Sequence, residues 1–549
     1  MKKLIALLLV LLMVFSLVAC GQKEEAPAAQ EESKTETPKE EAKEETKEES
    51  DEASSTSSKD TINLVLNQVI ETINPWDKDL LVGNQLMYQC YDTLFFYTDA
   101  GEFEPRLAES YTVSEDGTLY TFKLRDDVVF HNGAPMTAED VAWSLNYEYR
   151  DGPYTTRRNN VSGFVDARVV DDTTVEVEIA SSDSTFLPFV SQYGFILCEA
   201  EFMAAEEAGI VGTEWVPFGT GPYVITSFNP DAMITLEAFP DYYRGEARIK
   251  NINYQVLLDN NTITIAFEAG DLDFISVPTA SWNNISSNSN YTTYLSPTNH
   301  VSWFMINTHE GPLSNKLVRQ ALSYGMDREA MCVIAYDGLA QPAYTYFNAD
   351  TVFGALTVEE MEAAGINTFQ YNPEKAKELL AEAGYADGLD LGTLYCINSS
   401  YWEKMSTVFQ DNMRDIGVTV NIELADSSTC RSHRFDLDYD LCTSGNNMTP
   451  DVSAILYSHR YVTEEDIAAG NQTELRLQNM ELDQLLRDTI ALSDRDAQEA
   501  NYLEAIRIMQ EEVYCLPTFH KSIPYAYYND LVCEEINTNY YHVYNFYWK

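Results

Sequence analysis

Cations are scarce in this chain: 35 Lys and Arg stand against 87 Asp and Glu in 549 residues, a formal net charge of −52. That balance excludes a nucleic-acid partner, because neutralising phosphates requires a basic footprint. Long apolar runs are missing after Leu4–Ala19, and nothing later approaches the roughly 20 residues a bilayer span needs, so the chain is not a polytopic membrane protein. None of the nine Cys forms a C-x-x-C pair, which excludes zinc ribbons and thioredoxin-type redox sites. The seven His, at 131, 300, 309, 433, 459, 520 and 542, include no i,i+4 zinc pair. Asp436, Asp438 and Asp440 mimic the start of a calcium loop, but Leu441 and Asn447 stand where an EF-hand requires Gly and Glu. Gly219-Thr220-Gly221-Pro222 lacks the Gly-Lys-Ser/Thr end of a phosphate loop, and Pro222 removes an amide donor. A G-x-S-x-G elbow is missing as well. With no nucleophile and base at recognisable spacing, the chain reads as non-catalytic, with no cofactor and no metal. What it does have is 45% hydrophobic residues and 35 Tyr, 24 Phe and 7 Trp, ample for a large core. At roughly 150 residues per domain, that length suggests about three or four domains.

The first residues are an address. Lys2 and Lys3 precede the apolar run, the charged and apolar regions of an export signal. Leu17-Val18-Ala19-Cys20-Gly21 resembles the lipobox of bacterial lipoproteins. The resemblance implies a signal peptide over residues 1–19 and a mature protein that begins at Cys20, whose thiol carries a diacylglycerol. Two acyl chains give firm attachment where one is marginal, so the expected location is the outer face of the cytoplasmic membrane, tethered by lipid alone. Gln22–Asp60 contains no Val, Ile, Leu, Met or aromatic residue. It cannot bury enough apolar surface to offset its ordering entropy, so residues 20–60 read as the lipidated Cys and a disordered acidic linker. The eight later Cys lie where disulfides are permitted, yet several sit inside apolar runs, and pairing stays open.

Tyr120, Phe122 and Leu124 alternate with polar residues, as do Val175, Val177 and Ile179, predicting two half-buried strands. Thr137-Ala138-Glu139-Asp140 reads as a helix start with a hydroxyl cap and an acid three residues on. Another helix runs from Asn372 as cap, through Pro373, to Gly384 as stop. Leu389–Ile397, Tyr401–Asp415 and Val418–Leu424 form a strand–helix–strand unit and predict a parallel sheet. Ligands collect beyond the carboxyl ends of such strands, so the turn from Asn398 to Trp402 is a candidate pocket wall. Gly117, Gly133 and Gly221 sit in turn contexts that favour positive φ.

The stretch Pro105-Arg106-Leu107-Ala108-Glu109-Ser110-Tyr111, followed by Ser114-Glu115-Asp116-Gly117 and by Val129-Phe130-His131-Asn132-Gly133-Ala134-Pro135-Met136-Thr137-Ala138-Glu139-Asp140-Val141, closely resembles the signature of the family 5 extracellular solute-binding proteins. These are the peptide- and nickel-binding subunits of ABC importers. Ile73-Asn74-Pro75, Tyr91-Asp92-Thr93-Leu94-Phe95, Gly219-Thr220-Gly221-Pro222-Tyr223, Ala269-Gly270-Asp271-Leu272-Asp273 and Val318-Arg319-Gln320-Ala321-Leu322 with Asp327-Arg328-Glu329 follow in family order.

The resemblance implies an α/β, two-lobed periplasmic-binding-protein-like fold of class II with an extra inserted subdomain. Lobe one would comprise residues 61–96, 215–305 and 520–549, the inserted subdomain 97–214, and lobe two 307–519. It further implies a monomeric receptor that captures dipeptides or oligopeptides by hinged closure and presents them to the permease subunits of an importer. In peptide-binding relatives an Asp after a Gly-Trp pair meets the ligand's α-ammonium. Here Gly445 is followed by Asn446 and Asn447, ungapped register falls on Thr449, and Asp451 is the carboxylate in reach, its other reading being a helix cap before Val452. Trp303, Tyr401, Trp402 and Trp282 are candidate aromatic cleft walls, each with core packing as its alternative. The C-terminal aromatics from Tyr540 to Trp548 are expected to complete the lobe-one core. Nickel chelates, haem and oligosaccharides are alternative solutes, and a surface peptide sensor is an alternative role.

Overall fold

The structure, a computed structural model, describes residues 59–549 except 71, 77–80, 99–100, 155–157, 159–160, 162, 212–217, 347–355, 448–460, 469–472, 493 and 537–540; for 81–84, 299, 446–447, 465 and 468 the backbone alone is described. The signal peptide, Cys20, the acidic linker and Asp451 thus lie outside the described residues.

Three sheets organise the chain. Thr61–Leu66 pairs parallel with Asn251–Val256, and Met233–Ala238 and Tyr223–Asn229 extend that sheet antiparallel. Alternation along Thr61–Leu66 buries Ile62, Leu64 and Leu66 on one face. That face packs with Tyr254, Ile234 and the C-terminal Tyr541, Val543 and Phe546 in one apolar cluster. The C-terminal aromatics therefore do complete this core.

The second sheet is antiparallel, in the order Ala108–Val113, Leu119–Leu124, Thr174–Ile179, Phe164–Asp171. Both strands expected from alternation are present, and Tyr120, Phe122, Val175 and Val177 pack over the helix Ala138–Asn146. That helix starts as its sequence dictates: the Thr137 side chain accepts from the Asp140 amide while Asp140 returns the bond to the Thr137 backbone. Gly117 and Gly133 have φ of +71° and +81°. Gly221 differs from the expectation. It lies outside the positive-φ glycines, and a Cβ there would stand 2.4 Å from the Cys90 carbonyl carbon and 2.6 Å from the Tyr91 nitrogen. Its glycine is required by the close approach of two backbones and not by a turn.

The third sheet holds the two lobes together. Its order is Phe274–Ser276, Cys515–Tyr528, Tyr291–Ile306, Leu441–Asn447, Leu389–Ile397, Val418–Ala425, with Ala340–Pro342 also on Cys515–Tyr528. Tyr291–Ile306 and Cys515–Tyr528 form one long antiparallel ribbon running from Tyr291 opposite Tyr528 to Met305 opposite Cys515. At one end Phe274 and Tyr525 belong to the cluster of the first sheet. At the other, Phe304, Ile306, Leu516 and Phe519 belong to a separate cluster with Leu394, Met405, Phe409 and Val418. A two-stranded ribbon thus crosses between two cores, with register shifts at Pro297/Val301 and Ser302/Trp303, where bulges bend and twist a strand.

In the second core, Leu389–Ile397 and Val418–Ala425 pair in parallel across the helix Ser400–Asp415, as the strand–helix–strand pattern requires. The helix Pro373–Glu382 is capped by Asn372 and stopped at Gly384, φ +95°. Arg328 fastens the helix Arg328–Tyr336 to the ribbon. Only 3% exposed, its guanidinium donates to the carbonyls of Pro517 (2.9 Å), Phe369 (3.2 Å) and Ser323 (3.3 Å) and to Ser323 Oγ (2.9 Å). Burial pushes its pKa down to about 10, so it remains charged at neutral pH.

Candidate functional site

A cavity of ≈ 370 Å³ opens where the ribbon passes between the two cores, at the small end of the range of about 300–1,000 Å³ typical of small-molecule sites. One wall is the carboxyl end of Thr61–Leu66, reaching Asn67, together with Ser276–Thr279 beyond Phe274–Ser276; another is Ile523, Pro524 and Tyr525 of the ribbon; Tyr336 closes it from the opposite core. Strand carboxyl ends are where ligands gather in open α/β sheets, since the connecting segments diverge there.

Tyr336 links the cavity to a polar cluster on the ribbon. Its ring lies 6.2 Å from that of Tyr401, whose hydroxyl accepts from Lys521 Nζ at 2.8 Å. The ammonium also lies 4.0 Å from the centroid of Tyr401 and 5.8 Å from that of Trp402, and 3.4 Å from His300 Nε2. Burial pushes Lys521 down to about 7 and His520 down to about 4. It also holds His300 well below its ordinary value, with the Lys521 and His520 charges adding to the effect. Both imidazoles are therefore neutral near pH 7. Among the described residues, His300 Nδ1, His520 Nδ1, Ser302 Oγ and Trp303 Nε1 are buried without a hydrogen-bond partner.

The residues expected from sequence distribute as follows. Tyr401 and Trp402 open the helix Ser400–Asp415 directly after the Leu389–Ile397 strand. Trp402 is 5% exposed and packs in the second core, while Tyr401 is half-buried against it and reaches Lys521. Trp303 is buried in a third cluster, its ring 5.8 Å from Tyr346. Trp282 packs against a separate cluster that contains Phe267 and Ile285. Gly445, Asn446 and Asn447 end the strand Leu441–Asn447 and pair with Ser302, Val301 and His300. Gly445 has no room for a side chain, since a Cβ would meet His300 Cε1 at 2.9 Å and the Val301 oxygen at 3.0 Å. Tertiary structure thus brings Gly445, Tyr401 and the ring of Trp402 around His300 and Lys521, and leaves Trp303 on the other face of its strand. Among the described residues no group of three or more His, Cys, Asp or Glu is placed to hold a metal ion, and all eight Cys in that region are unpaired thiols, seven of them buried.

Sequence reasoning missed Lys521, His300 and Tyr336. A signal existed: Leu516-Pro517-Thr518-Phe519-His520-Lys521-Ser522-Ile523 carries Lys521 as its one Lys or Arg, flanked by Phe519 and Ile523 at strand spacing, and a charge on an apolar strand face needs an explanation.

The model of the bacterial extracellular solute-binding proteins, family 5, middle part, matches residues 102–465. The glutathione-binding protein GsiB of Salmonella typhimurium is 28% identical over 358 residues, spanning 65% of this chain and 68% of its own. Among solved structures, HbpA2 from Haemophilus parasuis has a TM-score of 0.78 at 20% identity, covering 89% of this chain and 100% of its own. A dipeptide-binding protein from Pseudoalteromonas sp. SM9913, solved with Met-Leu, has a TM-score of 0.73 at 20% identity and the same coverage.

Proposed function

The chain belongs to the family 5 bacterial extracellular solute-binding proteins, and from that premise we propose that it captures dipeptides or oligopeptides between its lobes for an ABC importer. Lobe one is taken as residues 61–96, 215–305 and 520–549, the inserted subdomain as 97–214 and lobe two as 307–519. The observation that carries the reading is the ribbon itself. Two long strands join separate cores, and the cavity at their crossing is walled from both sides, by Asn67 and Ser276–Thr279 against Tyr336. Bending at the register shifts would close the walls on a solute, and a solute that touches both lobes favours the closed form. A relative named for binding glutathione and a neighbour holding Met-Leu support a peptide as the solute.

An extended peptide would add its backbone hydrogen bonds at the end of Leu441–Asn447, beside Gly445, Asn446 and Asn447, with Tyr401 and Trp402 shaping the neighbouring surface and Asp451 receiving the α-ammonium. Backbone contacts give affinity without reading side chains, so broad specificity follows. The permease would recognise the closed form, and Cys20 would hold the receptor at the outer face of the membrane through its diacylglycerol. The test is native mass spectrometry of the full chain, as purified and after incubation with a mixture of di-, tri- and tetrapeptides, paired with small-angle scattering. Bound peptide masses and a smaller radius of gyration are expected; unaltered masses and profiles would end the peptide reading.

A further inference from the structure

Lys521, half-buried on the ribbon, stands apart from the buried cations. Arg319 meets Glu512, Arg434 meets Glu474 at 2.7 Å, Arg106 meets Glu104, and Arg328 has four oxygen acceptors. Lys521 has a phenol at 2.8 Å and an imidazole at 3.4 Å, and no carboxylate pairs with it among the described residues. In a chain with 87 acids to 35 bases, a half-buried cation with no acid partner among the described residues stands out. Burying an uncompensated charge is costly, and the cost is relieved either when the amine loses its proton or when an anion arrives. An ammonium also has three donors. Tyr401 Oη takes one and His300 Nε2 is placed for a second, which leaves the third without a partner among the described residues.

Position says where the anion comes from. Residues 521, 523 and 525 share a face of the strand, and Ile523 and Tyr525 line the cavity. Lys521 is therefore about 7 Å along the strand from Ile523, two residues at roughly 3.3 Å each. Tyr336 touches both the cavity and Tyr401. Lys521 does not itself line the cavity; it lies two residues beyond Ile523 on the same strand, at the bulged centre of the ribbon, and connects to the cavity wall through Tyr401 and Tyr336.

We propose that Lys521 is the anion anchor of the cleft, its ammonium receiving the carboxylate of the captured solute while Tyr401 and His300 fix its position. This rests on the peptide reading above, under which the anion is the peptide's terminal carboxylate, but it extends to any solute that carries one. A desolvated charge pair of this kind typically changes affinity by about 30-fold or more when one partner is removed.

The experiment uses the full chain with three probe sets: a mixture of free-acid di- and tripeptides, the same sequences C-terminally amidated, and succinate with benzoate. Binding is read by native mass spectrometry and calorimetry for the parent, Lys521→Met and Lys521→Arg, with near-ultraviolet circular dichroism as the folding check. The expected result is that the parent takes free acids at least about 30-fold more tightly than amides, that Lys521→Met erases the difference, and that Lys521→Arg keeps part of it. Equal affinity of the parent for acids and amides overturns the anchor and leaves peptide capture standing. Capture of succinate or benzoate but of no peptide, lost in Lys521→Met, upholds the anchor and removes the peptide reading. Binding of none of the three sets overturns the anchor too. Should Lys521→Met not fold, the acid-against-amide comparison on the parent decides alone.

Discussion

Peptide capture should weaken as pH rises through neutrality, by an amount that the surroundings of Lys521 set. Burial places the unliganded ammonium at about 7. The protonated fraction then falls from about nine-tenths at pH 6 to about 3% at pH 8.5, so the anchor contributes a loss of affinity of about 30-fold, with the plateau below pH 6. Among the described residues, no other group facing it changes charge in that window. His520 is pushed down to about 4 and His300 lies well below its ordinary value, so both stay neutral, while burial pushes Tyr336 up to about 12 and Tyr401 higher still. The peptide's own α-ammonium, near 8, adds a factor of about 4 at pH 8.5. Lys521→Arg separates the two contributions, because a guanidinium stays charged throughout. Calorimetry at four pH values between 6 and 8.5, in buffers of different ionisation enthalpy, should show the parent losing about 30-fold more than Lys521→Arg and taking up a proton on binding near pH 8. Parallel curves for the two proteins would refute the reasoning. The sign for the unliganded protein is opposite. With its folded pKa depressed from 10.5 to about 7, Lys521 makes the unfolded chain bind the extra proton between those values, so its contribution to stability rises with pH across that window and is flat below it.

Other outcomes follow from single positions. Asp451→Ala should weaken peptide binding by about 2–5 kcal/mol, roughly 30- to several-thousand-fold, and N-acetylated peptide should bind the parent as poorly as free peptide binds the variant in calorimetry. Arg328→Met strands the buried carbonyls of Pro517, Ser323 and Phe369, and urea unfolding should show a loss of about 3 kcal/mol or more. Gly445→Ala drives a methyl against the His300 ring, which lies 3.4 Å from Lys521 Nζ; it should cost about 1–3 kcal/mol of stability and weaken binding of free-acid peptides more than of amides. Cys20→Ser should move the protein from the detergent phase to the aqueous phase in a partition assay, because no acyl chain remains to hold it.

Local features were legible in the chain because their causes are local. The capping box at Thr137 and Asp140, the Asn372 cap with Pro373 behind it, and the alternation in Leu119–Leu124 and Thr174–Ile179 each satisfy nearby backbone groups or present one apolar face. The parallel pairing of Leu389–Ile397 with Val418–Ala425 was legible for the same reason, since a helix between two strands forces a crossover. Gly221 marks the boundary. Its residue type was noticed, but its reason is the backbone of Cys90, more than a hundred positions away, and no local turn.

The cleft falls on the far side of that boundary. Tyr401 and Gly445 could be named as candidates, yet their neighbours could not, because Lys521 lies 221 positions from His300 and 120 from Tyr401. Trp303, equally aromatic, was turned the other way by strand alternation and buried against Tyr346. Residue order alone determined the family, the helix caps, the strand pattern and the acidic character of this protein. Which side chains face one another across the ribbon, and hence which groups gather around Lys521 beside the cavity, was decided only by sheet register, because a shift of a single residue turns every side chain of a strand to its other face.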